Sequence, residues 1–220
     1  MSVFAYVLLI GFSYLLGNIN FAVVLSKLKE SDVTKKGSGN PGTMNMLRSY
    51  GARLGGITLL LDILKGSIPA IIGFFAFGGY ANLEMATLGL YIGGFSVILG
   101  HIYPVTMSFK GGKGIACSLG VFLVANPIAT FIFFVISIIY LWFFEYGSIT
   151  SLIMITALVT VEGLKVIQYN NIAITLLLFA IFFITWFAHR QNIFRLLIGK
   201  ENRVSLKRML KKRRQAKSNK

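Results

Sequence analysis

Long apolar runs alternate with short polar, glycine-rich segments along this chain. Predominantly apolar stretches of about 20 residues match the length of helix that crosses a bilayer. The pattern predicts spans at 3–26, 53–77, 86–107, 148–164 and 171–188. From Ile115 to Phe144 the chain stays apolar for about thirty residues, interrupted only at Asn126-Pro127. One helix of that length would be ~45 Å long, more than a ~30 Å hydrocarbon core needs. Two helices hinged at Asn126-Pro127 fit better, because proline suits a helix start and disfavours helical geometry in the residue before it. The first of the two, near 114–125, would be only ~18 Å long, too short to cross fully alone. No internal repeat is visible.

The expected fold is therefore an all-α integral membrane protein, a bundle of seven transmembrane helices. Composition agrees: of 220 residues 55% are hydrophobic and only 13% charged, and mean hydropathy is +0.74. The N-terminal run lacks a basic leader and a clear cleavage site, so it reads as a retained span. Charge orients the bundle. Twelve of the 22 Lys and Arg residues lie from Arg190 onward, and the 27–52 segment adds Lys27, Lys29, Lys35, Lys36 and Arg48. Basic loops belong on the cytoplasmic side. Seven spans put 27–52, 108–114 and the basic end inside, with the N-terminus outside and the C-terminus cytoplasmic. Six spans would strand the basic end outside. The chain divides into a membrane domain, 1–202, and a basic cytoplasmic tail, 203–220. The single cysteine, Cys117, excludes an internal disulfide, and no Cys/His cluster in the sequence suggests zinc.

Three polar segments carry candidate chemistry. Gly100–Ala116 holds His101 and then Lys110-Gly111-Gly112-Lys113-Gly114. Glycines allow backbone N–H groups to converge on an anion, and a helix starting near Gly114 would aim its positive end at the same place. A phosphate cradle and a solvated basic loop are both compatible with this stretch. It is not a Walker A loop, because Gly114 rather than Ser or Thr follows Lys113. Residues 37–48 hold Gly37, Ser38, Gly39, Asn40, Gly42, Asn45 and Arg48. The glycine spacing mimics a dinucleotide fingerprint, but no strand precedes it. Arg48 suits phosphate because its fork can bind two oxygens. In the third segment, 188–201, a continuing helix would place His189, Asn192 and Arg195 near one face, and Gly199 would stop it.

Asp62 and Lys65 lie inside an apolar span at i,i+3. Either they serve the site or they form a self-satisfied pair that holds helices together. Glu162 and Lys165 repeat the spacing near an expected outer end, where snorkelling accounts for them. The tail reads as a segment on anionic membrane lipids, at ~1 kcal/mol per basic residue near the surface, rather than as a nucleic-acid binder.

Together the segments G-S-G-N-P-G-x-x-N-x-x-R, G-H-x-x-P-x-x-x-x-F-K-G-G-K-G-x-A and H-R-x-N-I-x-R-L-x-x-G-x-E resemble the three cytoplasmic motifs of the bacterial membrane acyl-phosphate:glycerol-3-phosphate acyltransferase family. The match runs in order through nearly the whole chain and includes Asp62 and Lys65 in L-D-I-L-K-G. Two positions depart from it. Gly42-Thr43-Met44-Asn45 replaces the usual G-A-T-N, which shifts any threonine contact to Thr43, and Cys117 stands where threonine is common.

The resemblance implies transfer of an acyl group from acyl phosphate to glycerol 3-phosphate, giving 1-acyl-glycerol 3-phosphate and phosphate, with no cofactor and no metal. It implies the bacterial cytoplasmic membrane, an active site on its cytoplasmic face, and the soluble enzyme that makes acyl phosphate as a partner. On the family pattern, Gly37, Gly39, Asn40, His101, Lys110, Gly111, Gly112, Lys113 and Gly114 bind substrate phosphate, with the second-motif lysines on glycerol 3-phosphate. Ser38 and Arg48 serve the acyl phosphate, and Asn45 or Asn192 steadies the oxyanion. The base is His189 or a substrate phosphate. Asp62, Lys65 and Glu201 are structural. The absence of H-x-x-x-x-D argues against the acyl-CoA-dependent arrangement. Two other classes remain: a carrier for a phosphorylated solute, and a membrane anchor whose tail recruits a partner, for which deleting 203–220 would spare catalysis.

Overall fold

The computed structural model describes residues 2–207 and Gln215; the remainder of the expected tail lies outside the described residues. Among the described residues all regular structure is helical. The helices are α1 (Val3–Gly17), α2 (Phe21–Lys27), α3 (Thr43–Ala76), α4 (Leu83–Ile102), α5 (Ile115–Ala125), α6 (Pro127–Phe144), α7 (Gly147–Val166), α8 (Ile172–Ala188) and α9 (Arg190–Leu197). Five stretches are long and apolar enough to cross a membrane: Val3–Lys27, Thr43–Ala76, Leu83–Met107, Pro127–Phe144 and Gly147–Tyr169. A sixth is α8 with α9, taken as one span bent by 52°. Helix α5 has 11 residues, a rise of about 16 Å, and does not cross alone.

Helix α4 is the centre of the bundle, packed against α1, α3, α5 and α8. Its Tyr91, Val97 and Ile98 are fully enclosed, whereas peripheral α6 presents Ile128, Phe131 and Phe143 outward. In a bilayer that outward apolar surface faces lipid, and association rests on close packing rather than on exclusion of water. Small residues supply the closeness. A Cβ at Gly17 would overlap Val97 and Gly100 of α4, and one at Gly66 would overlap the backbone of Cys117 in α5.

Several boundaries differ from the sequence reading. The 27–52 segment is not all loop: α3 begins at Thr43, and Gly51 (φ 86°) kinks it before the apolar span. Asn45 and Arg48 therefore sit on helical turns. The first span breaks after Gly17, with Asn20 capping α2 through a bond from the Val23 N–H to its side-chain oxygen (3.0 Å). The hinge at Asn126-Pro127 forms as expected; Asn126 caps α6, accepting from the Ala129 N–H (3.1 Å). The last span bends at His189, and Gly199 takes φ 68° just beyond α9.

The break between α1 and α2 frees main-chain carbonyls inside the bundle, and Lys65 meets them. Its ammonium donates to Ile19 O (2.6 Å) and Gly17 O (3.4 Å) and lies 3.1 Å from Asp62 Oδ1 and 3.0 Å from His101 Nδ1. Lys65 and Asp62 are 2% and 1% exposed, so both charges depend on each other. At the other end, snorkelling explains Lys165 but not Glu162. Glu162 is buried, accepting from the Tyr91 hydroxyl (2.7 Å) and Asn126 Nδ2 (2.9 Å), so it joins α4, α7 and the hinge.

Removing one member of the buried pair leaves the other uncompensated. Lys65→Ala should destabilise the detergent-solubilised protein by about 3–5 kcal/mol, while Asp62→Asn with Lys65→Met should lose less. Thermal unfolding of the three proteins side by side checks the order.

Candidate active site

A cavity of about 340 Å³ opens between α3, α5, α6 and α7 and receives residues from all three polar segments. One half is polar: Ser38, Asn40, Arg48, Lys113, His189, Asn192 and Glu201 line it. The other half is apolar, with Leu59, Leu119, Phe134, Ile138, Leu141 and Met154 among its walls. A cavity walled by both cationic and hydrocarbon side chains suits an amphiphile with an anionic head.

The first segment is organised by Asn45, which is buried. Its side-chain oxygen accepts from the Ser38 N–H (3.0 Å), and its amide donates to Val33 O (3.0 Å) and Lys36 O (2.9 Å). Gly37 (φ 57°) must lack a side chain, because a Cβ there would overlap the Asn45 amide. Both Asn45 protons are thus committed to the loop. The sequence reading of Asn45 as an oxyanion donor is corrected: the residue fixes the loop that carries Ser38. Three residues on, α3 presents Arg48. Its Nε is buried without a hydrogen-bond partner, as is Thr43 Oγ1, and Arg48 forms no ion pair among the described residues. An unpartnered guanidinium facing a cavity is an anion site in waiting.

The second segment differs most from expectation. The N–H groups of Gly111 and Gly112 turn inward and donate to Ile102 O and His101 O (both 3.0 Å). They close the C-terminal end of α4 and do not form a cradle facing the cavity. A Cβ at Gly112 would overlap the His101 ring, so these glycines permit close packing. Lys110 is exposed, and neither it nor Gly37, Gly39, Gly111 or Gly112 lines the cavity. His101 is buried against Lys65 at the base, although part of it reaches the wall. What the segment delivers is Lys113 together with the N-terminus of α5, where Gly114 (φ 81°), Ile115 and Ala116 line the cavity.

The third segment holds Lys113 in place. Asn192 accepts from the Lys113 ammonium and donates to Glu201 Oε1 (2.6 Å), and Glu201 Oε2 accepts from Arg195 Nε (2.9 Å). Burial brings the Lys113 ammonium down to about 8, with Arg195 and Arg48 adding to the fall against the pull of Glu201. Burial pushes the Glu201 carboxyl up, but hydrogen bonds from Asn192 and Arg195 outweigh it and hold it below the usual range. His189 Nδ1 lies 2.7 Å from Thr185 O. A carbonyl only accepts, so the neutral ring carries its proton on Nδ1 and leaves Nε2 able to take one.

Asp62, His101 and Cys117 bring their donor atoms within 4.8 Å of one another, a cluster that sequence spacing cannot show because it spans three helices. The Lys65 ammonium contacts Asp62 and His101, so a lysine already balances this group. Sequence reading also missed the small polar start of α7, where Gly147, Ser148, Thr150 and Ser151 line the cavity. Its only trace in the sequence is a cluster of hydroxyl residues opening a span.

Known proteins resemble this chain over most of its length. A family model described as glycerol-3-phosphate acyltransferase matches residues 7–199. A glycerol-3-phosphate acyltransferase of Aquifex aeolicus is 39% identical over 198 residues, covering 89% of this chain and 97% of that protein. Its counterpart in Finegoldia magna is 36% identical over 203 residues, covering 91% and 98%. The crystal structure of PlsY, an integral membrane glycerol 3-phosphate acyltransferase, in its glycerol 3-phosphate form superposes with a TM-score of 0.81 at 33% identity, over 94% of this chain and 98% of that one. The lysophosphatidic acid form gives 0.79.

Because Lys113 is charged only below about pH 8, the cavity should lose affinity for a phosphate monoester as pH rises through that value. Lys113→Arg should move this loss to higher pH, since a guanidinium stays protonated. Phosphate-monoester affinity followed from pH 7 upward in both proteins would show the shift; identical profiles would exclude Lys113 as the titrating group.

Proposed function

The chain belongs to the glycerol-3-phosphate acyltransferase family, and we propose that its acyl donor is an acyl phosphate, so that it forms lysophosphatidate and inorganic phosphate. The observation that carries this reading is one cavity, lined by all three motifs, whose wall combines Arg48 and Lys113 with a set of apolar side chains. Both reactants would then be phosphate esters or anhydrides, and Arg48 and Lys113 offer two separate cations for them. An acyl phosphate is already activated, so the main task is to hold two mutually repelling anions in line. Such positioning can be worth ~7–11 kcal/mol in favourable cases.

In this scheme Lys113, oriented by Asn192 and Glu201, holds the glycerol 3-phosphate head. Arg48 and the Ser38 loop hold the acyl phosphate, whose chain enters the apolar half. The glycerol hydroxyl attacks the acyl carbonyl, its proton passes to Nε2 of His189, and the carbon–oxygen bond to phosphate breaks. A substrate phosphate is the other candidate for the proton. With Asn45 committed elsewhere, the developing oxyanion is met by the free N–H groups in the first turn of α5 and by the two cations. Lys110 lies at the surface and plays a steering role at most.

The finer topology belongs to the same proposal: seven crossings, N-terminus outside and the cavity at the cytoplasmic face of a bacterial cell membrane. Charge parity supports it, and α5 with α6 then forms a pair that enters and returns through the Asn126-Pro127 hinge. A carrier would need its cations free near the midplane, whereas Lys65 is fully engaged.

Purified protein should convert glycerol 3-phosphate with acyl phosphate and not with acyl-CoA. The reverse preference would overturn the donor assignment. His189→Ala should lower kcat by ~10²–10⁴ if His189 is the base. A drop of only a few-fold would give that role to the substrate phosphate.

A further inference from the structure

We infer that the segment Asn202–Lys207, beyond the residues matched by the family model, is a strap that forms part of the acyl-chain seat. On the sequence division, all of it beyond Asn202 belongs to a separate tail. Instead Asn202, Val204 and Leu206 line the cavity, and Val204 is 1% exposed. The Val204 backbone and the side chains of Arg203, Ser205 and Lys207 fasten the segment. The Val204 N–H donates to Glu145 O (2.7 Å), and the Ser205 hydroxyl donates to the Glu145 carboxylate. Arg203 donates to the Tyr146 hydroxyl (3.1 Å) and stacks over its ring, and the Lys207 ammonium lies over Trp142 and Phe143 (5.8 and 5.5 Å).

Every anchor thus lies on the last turn of α6 or on the turn that follows it into α7, where Glu145 adopts φ 63°. Those two helices supply Ile138, Leu141, Ser148 and Met154 to the cavity. Residues 201–205 form no regular structure and a helical turn opens at Leu206, yet Asn202, Val204 and Leu206 all reach the cavity. They follow directly on Glu201, so the chain passes from a charged wall residue to two apolar ones within five positions. Burying an acyl group against Val204 and Leu206 rather than water favours donor binding and leaves the phosphate sites unchanged. The inference rests on the apolar half being the acyl seat.

The test uses the full chain carrying Val204→Ala with Leu206→Ala, which keeps the Glu145 clamp and every basic residue. A second protein carries Phe134→Ala, a cavity-lining residue of α6 eleven residues before Glu145. KM for acyl phosphate should rise about tenfold in the strap variant, with KM for glycerol 3-phosphate unchanged. Val204→Ile with Leu206→Met should restore it. If Phe134→Ala raises the donor KM and the strap variant does not, the strap is overturned and the acyl seat stands. If neither moves it, the acyl seat itself falls and the strap with it. If both KM values rise together with a lower melting temperature, the strap is merely structural and the inference is overturned.

Discussion

The Lys65 ammonium is the interaction on which the rest depends. A lysine buried in an apolar bundle is costly unless every proton finds an acceptor. Here the acceptors are the Ile19 and Gly17 carbonyls and His101 Nδ1, and Asp62 balances the charge as an ion pair; they come from the α1–α2 break, α4 and α3. The lysine therefore fixes both where the first span breaks and how α3 meets α4. It also reaches the site. His101 meets Lys65 at Nδ1 and leaves room only for a hydrogen at Gly112 beside Nε2. The loop that delivers Lys113 is thereby seated on a charge network deep in the bundle.

The same logic runs through the cavity. Its cations are aimed by neutral amides: Asn45 shapes the Ser38 loop below the turn carrying Arg48, and Asn192 joins Lys113 to Glu201. Amides suit this work because they donate and accept without adding charge to a site that must attract anions. Two carboxylates line the cavity among the described residues: Asp62 is paired with Lys65, and Glu201 is engaged by Asn192 and Arg195. That leaves Arg48, with its Nε unpartnered, and a lysine tuned to about 8 to face the substrates.

The glycines of the second motif have a different meaning from the one their spacing suggests. Gly111 and Gly112 use their N–H groups on the end of α4 and their missing side chains to admit His101. The freedom to turn N–H groups toward an anion is real, but here α4's terminal carbonyls claim them first. The free N–H groups belong instead to the first turn of α5, which begins one residue after Lys113.

What the sequence determined by itself was the membrane class, the order of the helices, the hinge at Asn126-Pro127 and the three segments that meet. These follow from hydrophobic run length, proline chemistry and the cost of leaving charge in lipid, all of which act locally. Only the tertiary structure decided what each polar residue is for. Asn45 and Asn192 look alike in sequence, as do Lys110 and Lys113, yet one lysine is exposed and the other buried in the cavity. The cluster of Asp62, His101 and Cys117 and the inward turn of Val204 are equally silent in the chain. The reason is physical: a hydrogen-bonding group takes its role from the partner that reaches it first, and in a helical bundle that partner comes from a distant part of the chain.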